Sequence, residues 1–135
     1  MHRNILLSLP VLLGGALGAL CRVHADGAVM AAMGGHFPLG ILCVNMAGSF
    51  VMGLLMGVLA RIGSDSAAAP WLNAFLGTGF LGGFTTFSSF ALDSVRLWQG
   101  GHMNFALLNI GLNAALCVAL AGLGWLLTAP REVEE

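Results

Sequence analysis

Apolar residues along this chain run together instead of alternating with polar ones, and the runs are long. Four of them, at 4–24, 38–60, 71–97 and 103–128, each approach the ~20 residues that a helix needs to cross the hydrocarbon core of a bilayer. Turn formers and most of the charge fall between them: Asp26-Gly27 and the stretch from Gly34 to Pro38, then Arg61 to Pro70 with Asp65, then Gln99 to His102. The pattern predicts an all-α membrane protein, a single transmembrane domain over residues 1–135 with no room for a soluble unit. The tail at 130–135 reads as a polar interfacial stub.

Glycine recurs at helical spacing inside the runs. Gly14 with Gly18, Gly53 with Gly57, and Gly79 with Gly83 are the small-residue pairs that let helix backbones approach. Several such pairs in one short chain predict a tight bundle.

Composition sharpens this. With 58% hydrophobic and 8% charged residues, a soluble domain could not solvate its surface. Lysine is absent, and the five arginines (Arg3, Arg22, Arg61, Arg96, Arg131) lie near the ends of runs, so no nucleic-acid patch is present. Cys21, Cys43 and Cys117 sit in apolar stretches without metal-ligand or disulfide spacing. The apolar N-terminus could be mistaken for a signal peptide, but the glycine pattern within it marks a packed first span.

Four spans place Arg3, Arg61 and Arg131 on one side and Arg22 and Arg96 on the other. A bias of three to two is too small for the positive-inside rule to fix orientation. The expectation is insertion both ways and an antiparallel, dual-topology homodimer, since four short helices enclose a solvated path poorly and eight do so readily.

The third run carries the chemistry. Gly82-Gly83 precede Phe84-Thr85-Thr86-Phe87-Ser88-Ser89-Phe90, which predicts a third helix broken at its centre. Backbone freed from the ladder at membrane depth is tolerated only where it lines a cavity, binds an ion or is buried in protein. Exposed carbonyls there suit a small cation, and the resumed helix N-terminus suits an anion. Phe87, Phe90 and Asp93 follow at three-residue steps. The edge of an aromatic ring is partially positive and can meet an anion weakly enough to release it. Asn45 and Ser49 share one face of the second helix, and Asn109, Asn113 and Cys117 form a stripe at four-residue steps on the last. Their roles stay open between interhelical glue and donors to an anion.

These residues also match a family. The opening from Gly14 to Arg22, the Gly40-Ile41-Leu42-Cys43-Val44-Asn45 segment followed by Gly48-Ser49-Phe50, and the core from Gly82 to Phe90 resemble the CrcB/Fluc fluoride channels over nearly the whole chain. The resemblance implies a dual-topology homodimer in the cytoplasmic (inner) membrane that exports fluoride passively. It also implies a structural Na+ at the dimer centre, held by the carbonyls of Gly82 and Thr85. Phe87 and Phe90 would be the aromatic fluoride sites, and Asn45 a pore donor. Thr86, Ser88, Ser89, Asn109, Asn113 and Asp93 would complete the polar track, with Arg22 drawing anions to a vestibule. The chain departs from the family pattern at Ile41 (usually Thr), Asp93 (usually Glu), and Asn109 and Cys117 (usually hydroxyl or Tyr).

A small proton-coupled multidrug exporter, also a four-helix dual-topology dimer, is the alternative. It requires an acid in its first span, and residues 4–24 contain none. A scaffold subunit would need no polar break. An enzyme is disfavoured because His2, His24, His36 and His102 lie at or near the interfaces with no embedded catalytic arrangement.

Overall fold

A computed structural model describes residues 2–63 and 66–130, with side chains from residue 5 onward. Asp65, the tail at 131–135 and the side chain of Arg3 therefore lie outside the described residues, and with them Arg3 and Arg131 of the orientation reading. The elements are α1 (His2–Met33), α2 (Leu39–Ile62), a short α3 (Ala69–Leu72), a π-helical segment (Asn73–Leu81), α4 (Gly82–Phe84), α5 (Phe87–Gln99) and α6 (Met103–Thr128). The pieces from Ala69 to Gln99 form one bent span. Among the described residues, four spans are long and apolar enough to cross a membrane.

Three boundaries differ from the sequence expectation. Helix α1 continues nine residues beyond His24, to Met33, because nothing in 25–33 breaks it until Gly34 adopts φ +62°. The Gly34 amide then caps the end by donating to the Met30 carbonyl at 2.9 Å. This extension places Asp26 within the first helix. The first half of the third span is wound as a π-helix, which nothing in the hydropathy signalled. Its Gly77 and Gly79 carry no side chains to resist widening, and its ladder closes with the Gly82 amide reaching the Gly77 carbonyl.

The third difference concerns the break. Gly82 and its neighbours are helical (φ −63°, ψ −35°), whereas Thr85 (−78°, 158°) and Thr86 (−151°, 121°) are extended. The interruption thus falls two residues after the glycine pair expected to cause it. Gly83 serves close packing instead, since a Cβ there would fall against the Gly15 carbonyl and 3.0 Å from the Gly15 Cα.

The glycine pairs form two seams between helices that run parallel. Helix α1 packs on the π-helical segment and α4. A Cβ at Gly18 would strike the Phe80 carbonyl and come within 2.9 Å of the Phe84 amide, and one at Gly14 would lie 2.8 Å from the Phe80 amide. Helix α2 packs on α6 in the same manner. A Cβ at Gly53 would meet the Ala121 carbonyl, and one at Gly124 would lie 2.8 Å from the Leu54 amide. Backbones meet directly in both seams, so dispersion between closely spaced main chains supplies the packing where lipid offers no hydrophobic drive. Large apolar side chains such as Leu12 and Leu126 point outward, as a lipid-facing surface requires.

The helix ends are tied polarly. His36 stacks on His102 at 5.5 Å between ring centroids, joining the α1–α2 and α5–α6 turns. At the other end Arg61 donates to the Ala129 carbonyl at 3.2 and 3.3 Å, satisfying a carbonyl at the α6 terminus.

Candidate functional site

The break at Thr85-Thr86 is built from side chains that replace the missing helical ladder. Thr86 caps α5, its hydroxyl accepting from the Ser89 amide at 3.1 Å, and Ser88 and Ser89 hydroxyls lie 3.1 and 3.2 Å from it. The hydroxyl of Thr85 donates back to the Leu81 carbonyl at 2.9 Å. Across the interface, Asn45 of α2 closes a two-way clasp on Thr86. Its Oδ1 accepts from the Thr86 amide at 2.9 Å, and its Nδ2 donates to the Thr86 carbonyl at 3.1 Å. Gly48 makes room for this approach, since a Cβ there would collide with the Thr85 methyl.

These diversions free particular carbonyls. In an unbroken helix the Thr86 and Ser89 amides would bond to the carbonyls of Gly82 and Thr85. Here one amide goes to Asn45 and the other to the Thr86 hydroxyl, so the ladder supplies neither carbonyl with a donor. The neighbouring Gly83 carbonyl instead accepts from Arg22 Nε at 3.2 Å.

A second set of bonds continues from Asn45. Its Nδ2 also donates to Asn113 Oδ1 at 3.0 Å, and Asn113 Nδ2 donates to the Asn109 side-chain and main-chain oxygens, both at 3.0 Å. Asn109 Nδ2 donates to Ser94 Oγ at 2.9 Å, and Ser94 donates to the Phe90 carbonyl at 2.8 Å. The two amides of the last-helix stripe, Asn109 and Asn113, therefore join Asn45 in a ladder linking α2, α6 and α5, whereas Cys117 lies on the groove beside it. Its members are buried, and no buried side-chain polar atom among the described residues lacks a partner, as burial demands.

Beside the ladder lies an open groove of about 590 Å³ between α2, α6 and the break. Asn45, Ser49, Thr86, Phe87, Phe90 and Asn113 line it, together with Thr85 and Cys117. The rings of Phe87 and Phe90 meet edge to face at 5.3 Å and 63°, and Phe87 is 78% exposed. Asp93 does not follow them. Each step of three residues on an α-helix falls short of a full turn by about 60°, so two steps carry Asp93 away from the groove. It lines a separate recess of about 230 Å³ with Arg22, Asp26, Ser89 and Arg96, 3.8 Å from the Arg96 guanidinium. Ser88 is exposed at the start of α5, and Asn109, 1% exposed, lies behind the groove. Ser94 was not singled out from the sequence, and Gly48 was noted only as part of the Gly48-Ser49-Phe50 motif, without a role. The signal for Ser94 was its place one turn after Phe90, which only the facing Asn109 makes meaningful.

A profile described as "CrcB-like protein, Camphor Resistance (CrcB)" matches residues 9–125. The chain belongs to this family. Similar CrcB-family proteins include the fluoride-specific ion channel FluC of Pseudoalteromonas translucida, 43% identical over 114 residues (84% of this chain, 92% of that protein). FluC of Cereibacter sphaeroides is 44% identical over 124 residues (87% and 95%). FluC 2 of Haloarcula marismortui is 45% identical over 112 residues (83% and 85%). Family membership and the four apolar spans make this a multi-pass membrane protein of a channel family and leave the multidrug-exporter alternative without support.

Proposed function

We propose that this CrcB-family chain forms a fluoride channel that lets fluoride leave the cytoplasm passively across the inner membrane. The observation that carries the reading is the edge-to-face Phe87–Phe90 pair beside the extended Thr85-Thr86 break. Ring edges and neutral hydroxyl and amide donors can replace water around a small, strongly hydrated anion, yet bind it weakly enough to release it. The names of the FluC relatives support the same ion.

The working unit in this reading is an antiparallel, dual-topology homodimer. A single chain leaves the groove open and Phe87 mostly exposed at membrane depth, and a second copy would cover both. A structural Na+ fits the break. The carbonyls of Gly82 and Thr85 lack their ladder donors, and two such pairs about a two-fold axis would offer hard oxygen ligands with no charged side chain. The ion, when bound, would pin the two breaks together. Arg22 draws anions toward the recess beside Ser89. With Nε held by Gly83, its remaining N–H donors still present positive charge.

Liposomes loaded with fluoride and read by a fluoride-selective electrode test the proposal. Rapid fluoride release with little chloride release is expected, and no release, or equal release of both ions, overturns it. Replacing Na+ with K+ throughout purification and assay is expected to lower the rate and the yield of dimer.

A further inference from the structure

From the Thr86 amide to Ser94 the bonds of the amide ladder run in one direction, Asn45 alone also donating back to the Thr86 carbonyl, and the two ends explain why. A backbone N–H can only donate, so the Thr86 amide requires Asn45 to present Oδ1 to it. Asn45 must then turn Nδ2 toward Asn113, which receives it on Oδ1 and turns its own Nδ2 toward Asn109. Asn109 in turn must end on an acceptor. That acceptor is Ser94 Oγ, whose proton is committed to the Phe90 carbonyl at 2.8 Å. A hydroxyl whose proton is spent elsewhere can only accept, so Ser94 imposes from α5 the polarity that Thr86 requires at the break. Asn109 is 1% exposed and Ser94 7%, so reversing an amide would leave a buried donor facing a donor, a costly mismatch at this depth.

We infer that Ser94 is a positioning residue: it fixes the orientation of Asn109, Asn113 and Asn45 and thereby holds Thr86, and the Phe87–Phe90 pair that follows it, in the geometry used for passage. Ser94 itself is absent from the groove lining and acts through the ladder. It also ties α5 at both levels, because the same hydroxyl grips the Phe90 carbonyl. The consequence for ion passage rests on the proposed fluoride reading, whereas the consequence for the break does not.

Two substitutions of similar shape separate the hydroxyl from packing: Ser94→Thr keeps it and Ser94→Val removes it. In detergent-solubilised full-length protein, hydrogen exchange at the Thr86 amide is expected to be about tenfold faster in Ser94→Val and near wild type in Ser94→Thr. Wild-type exchange in Ser94→Val, or equal acceleration in both, overturns the inference. Should Ser94→Val fail to give monodisperse protein, Asn109→Ala cuts the ladder one rung along and must accelerate the same amide. Unchanged exchange there is equally decisive against it. In liposomes, the fluoride-to-chloride efflux ratio is expected to fall about tenfold in Ser94→Val and to be restored in Ser94→Thr, a readout that lost stability alone would not move. Absence of fluoride-selective flux in the wild-type protein would count against the proposed function, and the exchange measurement would still decide the role of Ser94.

Discussion

The two glycine seams and the amide ladder hold the same bundle by opposite means. In the seams, α1 against the π-helical segment and α2 against α6, side chains are removed until backbones touch. In the ladder, Asn45, Asn113, Asn109 and Ser94 fill the interface with polar atoms and pair them all. A seam tolerates no added atom but is indifferent to charge and direction. The ladder specifies direction, because each amide has a donor and an acceptor end, and this lets it reach the break from α5. Close packing and direction are thus supplied by different residues, side by side where α2 meets α6.

The largest effect should come from the seams. Gly18→Val puts branched carbon against the Phe80 carbonyl and Phe84 amide, main-chain atoms that cannot rotate away, and a loss of about 3 kcal/mol or more is expected, at the top of the usual overpacking range. Yield of monodisperse protein and thermal midpoint measure it, and a well-folded Gly18→Val would dissolve the contrast.

Asn45→Leu comes next. It leaves the Thr86 amide and carbonyl and Asn113 Oδ1 without their partner, at about 1–3 kcal/mol for buried groups of this kind. Fluoride efflux should drop about a hundredfold as the break loses its clasp, with a smaller fall in thermal midpoint than Gly18→Val. Equal efflux in Asn45→Leu and wild type would reduce the ladder to packing.

Phe87→Ile and Phe90→Ile should each slow fluoride efflux about tenfold while the elution volume of the purified protein is unchanged. A wild-type rate would assign the rings to packing.

The smallest effect is expected at Gly82→Ala. A Cβ there comes no closer than 3.7 Å to any neighbour, and the residue is already helical, so stability should rise by only about 0.5–1 kcal/mol. Gly83→Ala, one position on, should behave like a seam substitution. Equal behaviour of these two neighbours would refute the division between seam and break.

Much of this was legible in the residue order. The four spans followed from hydropathy, because a chain with so few charges has the bilayer as its only compatible solvent. The glycine spacings announced the seams, and the Phe and Asn positions now lining the groove were visible as stripes. The break was legible in existence but not in position. Glycine propensity pointed to Gly82-Gly83, yet both residues are helical, with Gly83 packed against Gly15 of α1, and the interruption moved to Thr85-Thr86, where Asn45 stands ready to take the amide.

Sequence alone settled what the chain can dissolve in, how many times it can cross, and which residue types gather near the third span, because those depend on local composition and period. Tertiary structure decided how those residues are used. Asn109 arriving from α6 made Ser94 a terminus for the ladder, and Asn45 arriving from α2 took the amide that would have served the Gly82 carbonyl. A hydrogen bond depends on which partner arrives from another helix, and no period within one helix encodes that.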